Sequence, residues 1–292
     1  MRVFLLGADG QLGHELCGAL GCWADVVRAT EADFDMTDAG ALRSALGAAK
    51  AEMVVNAAAY TDVDGAERDP ETAMRVNAEA VRVLGQEARE AGRLLVHYST
   101  DFVFDGSKTV AYLEDDEPAP LGAYGRSKLA GERALAEVGA PAIVLRTAWL
   151  YGVRAKSFVS QMLKLGRERA TLRVVADQVG SPTFCRDLAQ ATALLLYGLR
   201  NAPAETVQAA CGVYHLAGGG ACSRYELAQA VFELDPRRHE HQLRHLEPIP
   251  SEAYPLPAAR PRYAPLDCSK ARRRFGLALP PWRESLARAL AG

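Results

Sequence analysis

Apolar residues run in short unbroken blocks through the first half of the chain. Each block gives way to a longer stretch in which they recur at three- and four-residue intervals. The blocks Arg2–Leu6, Asp25–Ala29, Met53–Asn56, 94–99 and Ala142–Thr147 read as strands, and the stretches 11–20, Ala39–Ala49, 70–91 and 124–138 as helices. Strands this uniformly apolar suit a sheet buried on both faces, and helices between them imply right-handed parallel crossovers. The expectation for residues 1–150 is an α/β domain with a doubly wound parallel sheet.

Past residue 150 the rhythm loosens. Phe158–Glu168 and 187–199 read as helices, 212–216 as a short strand before three glycines, and 223–234 as a helix with Ser223 as its N-cap. Six prolines between Pro248 and Pro265 mark extended loop, and Trp282–Ala291 closes the chain as a helix. Residues 151–292 are expected to form a smaller, mainly substrate-binding lobe interleaved with the main sheet.

The turn after the first strand changes the picture from fold to ligand. Gly7-Ala8-Asp9-Gly10-Gln11-Leu12-Gly13 has the spacing GxxGxxG and opens the first helix. Glycines there permit a tight turn and let a pyrophosphate approach backbone amides at a helix N-terminus, as in Rossmann-type dinucleotide-binding domains. The second strand ends near Arg28-Ala29-Thr30, and the nearest acid, Glu31, lies further along. An arginine there can pair with a 2′-phosphate, which leans the reading toward NADP rather than NAD.

Composition removes several classes. The 292 residues are 49% hydrophobic with a formal charge of −2, which gives no electrostatic reason to expect nucleic acid or an anionic membrane. The apolar run after Met1 is too short for a signal peptide or a membrane span. The six cysteines show no paired spacing and are expected to be reduced, which suits a cytoplasmic chain. His239, His241 and His245 fit no zinc pattern and are read as a solvated loop, so no metal site is expected.

Candidate chemistry sits at the strand ends. Asn56-Ala57-Ala58-Ala59 leaves room for a flat ligand at the rim of the sheet, and His97-Tyr98-Ser99-Thr100-Asp101 brings hydroxyls to the end of the fourth strand. Tyr124 and Lys128, four apart, share one face at the start of a helix. An unperturbed tyrosine is a poor acid–base group near neutrality, and a neighbouring ammonium favours its phenolate. Tyr124 is therefore the expected proton donor to a carbonyl, with Lys128 as its partner and Thr100 hydrogen-bonded to the same oxygen.

These residues together resemble the extended short-chain dehydrogenase/reductase family. The resemblance runs from Gly7–Gly13 through Ser99-Thr100-Asp101-Phe102-Val103-Phe104-Asp105-Gly106 and Tyr124-Gly125-Arg126-Ser127-Lys128. It continues through Arg146–Gly152, Asp177-Gln178-Val179-Gly180-Ser181-Pro182-Thr183 and Arg260-Pro261. It implies reduction of the C4 ketone of dTDP-4-dehydro-L-rhamnose by NADPH or NADH. It also implies that Gly10, Gln11 and Leu12 touch the cofactor pyrophosphate, that Asp35 and Met36 flank its adenine, and that Ala57, Ala58 and Ala59 line its path. Tyr98 would sit behind the nicotinamide, Thr100 and Asp101 would contact the sugar, Trp149 would pack against it, and Arg260 would meet the diphosphate.

Two departures bear on the reading. Phe102 stands where a tyrosine is common. Some relatives bridge a homodimer through magnesium; Glu15 matches one acidic ligand, but Arg186 falls where another acid belongs. A magnesium bridge is therefore not expected, while a homodimer stays open. The alternatives are a nucleotide-sugar epimerase or 4,6-dehydratase of the same fold, or a non-catalytic nucleotide-binding regulatory relative.

Overall fold

The computed structural model describes residues 1–152 and 156–292. Strands β1 (Arg2–Leu6), β2 (Asp25–Ala29), β3 (Met53–Asn56), β4 (Leu94–Thr100) and β5 (Ala142–Thr147) join Gly212–His215 in one sheet. The order is Gly212–His215, β5, β4, β3, β1, β2, and every pairing is parallel. This is a Rossmann-type doubly wound sheet. The chain leaves β1 toward β2 on one side and toward β3 on the other, which opens a crevice above the carboxyl ends of β1 and β3.

Alternation along the strands builds two cores. Val3, Leu5, Val55, Val96 and Leu145 face α1 (Gln11–Gly21) and the helix Cys185–Leu199. Phe4, Leu6, Val54, Leu95 and Val144 face α2 (Ala39–Ala49) and the helix Ala80–Glu90. Each buried leucine contributes about 1.5–3 kcal/mol, so a polar substitution on either face strips one layer. A third core, around Tyr151, Phe184, Leu227 and Leu286, lies within the second half.

Two elements differ from the sequence expectation. Residues 70–91 are not one regular helix: Pro70–Met74 runs into a π turn at Arg75–Glu79 before Ala80–Glu90. Asn77, in that turn, accepts from the Tyr60 amide at 2.9 Å and donates to the Ser127 hydroxyl at 2.9 Å. The wider turn carries a buried amide that ties the rim of β3 to the helix Ala123–Glu137. The proline-rich segment is also not wholly loop. His245–Ile249 pairs in parallel with Thr171–Val175, Pro248 opposite Val174. A two-stranded ribbon leaves one edge of each strand unpaired, so a proline without an N–H is tolerated.

Ser223 caps its helix as expected, in a capping box with Glu226. His241 differs from the solvated reading: its Nε2 lies 2.9 Å from Asp235, and only 7% of its side chain is exposed. Among the described residues no group of three or more His, Cys, Asp or Glu is disposed to hold a metal, and no helix is long and apolar enough to cross a membrane. All six cysteines are free thiols.

Candidate active site

The turn between β1 and α1 is built from backbone alone. Gly7 has φ +72°, and a Cβ there would lie 2.7 Å from the Ala58 nitrogen. A Cβ on Gly13 would lie 1.9 Å from the Gly7 carbonyl oxygen. Glycine is therefore sterically required at both positions. Gly10 opens α1 with no capping side chain, which leaves the helix N-terminus available to an anion. The side-chain oxygen of Gln11 is buried without a hydrogen-bond partner among the described residues.

This turn floors one end of a cleft of about 1490 Å³. Gly7, Gly10, Gln11 and Leu12 line it, as do Ala57, Ala58 and Ala59 at the end of β3. Asp35 and Met36 line its outer wall beside Thr30 and Phe34. Gly13 lies beneath, packed on Gly7. Arg28 is not brought there: it is exposed and outside the lining, its charge felt instead by Cys17 of α1. The residues β2 offers to the cleft are Ala29, Thr30 and Glu31 at its end.

Further along, β4 and the helix Ala123–Glu137 meet. That helix is pinned twice. A Cβ on Gly125 would lie 2.2 Å from the Phe102 carbonyl, and one on Gly131 would lie 2.1 Å from the Asn77 carbonyl. Glu67 accepts from the Ala123 amide at 2.6 Å and caps its first turn. The result brings Tyr124, Lys128 and Thr100 to one stretch of the cleft wall. Loss of water around the phenol pushes Tyr124 up to about 12, while the Thr100 hydroxyl beside it acts in the opposite sense. Burial lowers Lys128 to about 8, and Glu132 one turn on partly opposes it. Lys128 Nζ donates to the Tyr98 carbonyl at 2.6 Å. The Tyr98 ring lines the cleft while its buried hydroxyl donates to Thr192 at 2.8 Å.

The remaining wall is charged. Asp101 accepts from the Thr100 hydroxyl at 3.1 Å through one oxygen, and the other oxygen is buried with no partner among the described residues. Burial raises Asp101 to about 7. Trp149 holds φ +45°, a strained backbone for a bulky residue, with its ring against Gly180. The Arg224 guanidinium lies 3.5 Å over that ring, lowered to about 10 by burial and held up by Asp101. Arg260 also lines the cleft, gripped by both oxygens of Asp64 at 3.1 and 2.7 Å. Glu15 is taken by Arg186 at 3.1 Å, so its carboxylate is already paired with a cation.

Arg224 is the functional candidate that sequence reasoning missed. It follows the correctly read N-cap Ser223, but nothing local distinguishes it among the many arginines of the chain. Its significance lies in meeting Trp149 and Asp101 from far along the sequence.

Comparison with known proteins gives a consistent picture. The family model described as RmlD substrate binding domain matches residues 1–292. The chain is 41% identical over 288 residues to a dTDP-4-dehydrorhamnose reductase of Burkholderia thailandensis, covering 97% of this chain and 96% of that one. It is 37% identical over 296 residues to the enzyme of that name from Escherichia coli, covering 99% and 97%. A crystal structure of a dTDP-4-dehydrorhamnose reductase from Clostridium acetobutylicum superposes with a TM-score of 0.90 at 34% identity, covering 100% and 99%. One from Bacillus anthracis, in complex with NADP, superposes with a TM-score of 0.89 at 33% identity, covering 99% and 98%.

Proposed function

We propose, because this chain belongs to the dTDP-4-dehydrorhamnose reductase family, that it reduces the C4 ketone of dTDP-4-dehydro-L-rhamnose to dTDP-L-rhamnose with NADPH, or NADH, as reductant. The observation that carries the reading is the convergence of Tyr124, Lys128 and Thr100 on a cleft whose other end is a glycine-built anion cradle.

The residues present fit a dinucleotide. Gly7 and Gly13 hold a tight turn in which a Cβ would strike backbone, and Gly10 leaves the N–H groups at the start of α1 free of any capping side chain and able to donate to a pyrophosphate. Leu12 and Ala57–Ala59 would pack along the pyrophosphate and ribose, Asp35 and Met36 beside the adenine, and Tyr98 behind the nicotinamide. When bound, the nicotinamide supplies hydride to the ketone carbon. Tyr124 gives its proton to the ketone oxygen as charge develops there, and Thr100 donates a second hydrogen bond to it. A phenol held near 12 is fully protonated at neutral pH, as an acid must be. Lys128 stabilises the phenolate left behind and has further N–H bonds for the ribose.

Residues 151–292 supply the cations of the substrate end, and the first 150 residues its acid and its aromatic ring. Asp101 reaches sugar hydroxyls, Trp149 covers the ring, and Arg224 faces the diphosphate with Arg260 behind it. Arg224 is the better-placed cation, because the charge of Arg260 is already matched by Asp64. The same reading takes the nucleotide sugar as the partner, a cytoplasmic location, and neither nucleic acid nor membrane. A homodimer without a magnesium bridge remains part of it, and sedimentation of the free chain measures that state. The deciding experiment follows near-ultraviolet absorbance of NADPH with dTDP-4-dehydro-6-deoxy-L-mannose. Stoichiometric oxidation is expected, and no oxidation by folded protein overturns the proposal.

A further inference from the structure

A buried chain of hydrogen bonds runs from β3 to Lys128, and its direction can be worked out. The Ala58 amide donates to Asn56 Oδ1 at 3.1 Å. A backbone N–H can only donate, so this contact fixes the orientation of the Asn56 side chain. Asn56 Nδ2 must then be the atom facing His97 Nδ1 at 3.1 Å, and it donates. His97 Nδ1 therefore carries a lone pair. The ring is 1% exposed and is held neutral by burial and by Lys128. Its one proton is left on Nε2, which lies 3.5 Å from Lys128 Nζ.

That arrangement aims an N–H at the lysine. A neutral amine can accept it, whereas an ammonium, which only donates, cannot. The other groups around Lys128 do not mask the effect. From its own helix come Tyr124 and Glu132, and Glu132 is paired with Arg146 of β5 at 2.7 Å and with Ser99 of β4. From β4 comes the Tyr98 carbonyl, which accepts from either protonation state, and from β3 the neutral Asn56. Asp101 acts on Tyr124 rather than on Lys128.

We infer that His97, locked by Asn56 as its Nε2–H tautomer, is a positioning residue that makes the Lys128 ammonium a readier proton donor to the Tyr124 phenolate. This rests on the Tyr124–Lys128 reading above and explains how the used acid is restored: the proton leaves Lys128 Nζ and ends on Tyr124 Oη, and Lys128 recovers it from solvent. The lysine need not be driven by its own burial alone.

The test begins on resting, uniformly ¹⁵N-labelled protein, with His97→Gln assigning the His97 ring signals. A neutral ring protonated on Nε2 is expected, and protonation on Nδ1 overturns the inference. Asn56→Asp is nearly isosteric. Its carboxylate accepts both from Ala58 and from His97, which inverts the tautomer and turns Nε2 into an acceptor for Lys128. The titration midpoint of Lys128, followed through a labelled ε-carbon, should rise by about one pH unit, a tenfold change in proton affinity. The alkaline limb of kcat should rise with it. In a His97→Phe background the same Asn56→Asp change should move the midpoint much less. Equal shifts in both backgrounds would mean that carboxylate charge alone acts, and would overturn the role of His97. Turnover of Tyr124→Phe separately decides the acid–base reading, so the two failures are distinguishable.

Discussion

The two ends of the cleft are made in opposite ways. Under α1 the walls are main chain: Gly7 pressed on the β3 rim and Gly13 pressed on Gly7, each with van der Waals space for nothing larger than hydrogen. At the far end the walls are side chains from distant parts of the sequence, Asp101, Trp149, Arg224 and Arg260, held by stacking and ion pairs. A backbone cradle suits a ligand part that is always the same, the pyrophosphate. A side-chain wall suits the part on which discrimination depends, because its charges and shapes change by single substitutions.

The largest expected effect comes from the backbone end. Gly13→Ala forces a Cβ onto the Gly7 oxygen, so stability should fall by about 3 kcal/mol and dinucleotide affinity by at least about a hundredfold. Gly276→Ala is the contrast: it has positive φ, which Gly13 lacks, but open space around it, and should cost about 1 kcal/mol with cofactor binding intact. Denaturant titration and fluorescence binding measure both. Normal cofactor binding by folded Gly13→Ala would break the comparison.

At the side-chain end, Arg224→Leu should raise KM for the nucleotide sugar by roughly tenfold to a hundredfold while leaving KM for NADPH unchanged. Steady-state kinetics with each substrate varied in turn checks the split. Equal effects on both would mean that Arg224 serves the fold rather than the substrate.

Asp101 sharpens the contrast through pH. The folded chain holds this acid protonated up to about 7, whereas the unfolded chain releases the proton near its ordinary value of 3.8. Folded protein thus binds more protons in that window, so the contribution is full below about pH 4 and is lost as pH rises toward 7. Asp101→Asn removes that slope. Relative to wild type it should gain on the order of 3 kcal/mol between acid and neutral pH, read from denaturation midpoints. Parallel stability curves would contradict a buried, protonated Asp101. The smallest effect belongs to Arg28→Ala, which should leave the ratio of kcat/KM for NADPH to that for NADH unchanged, because Arg28 stands outside the cleft.

How much of this could be read from sequence follows the same division. The strands β1–β5, the glycine turn and the Tyr124–Lys128 pair are local signals, written in consecutive residues or one helical turn. Asn77 and its π turn were hidden, since a buried amide does not interrupt the helical periodicity around it. The pairing of His245–Ile249 with Thr171–Val175 was masked by prolines. Arg224 was hidden because cation and ring are brought together only by the fold.

The central claim is that Tyr124 is the acid of a nicotinamide-dependent ketone reduction. Tyr124→Phe removes one oxygen from a side chain whose ring still packs against Phe102 at 5.6 Å. Turnover should fall by about a hundredfold to ten-thousandfold with NADPH affinity unchanged. A Tyr124→Phe enzyme that reduces dTDP-4-dehydro-L-rhamnose at the wild-type rate would contradict the account.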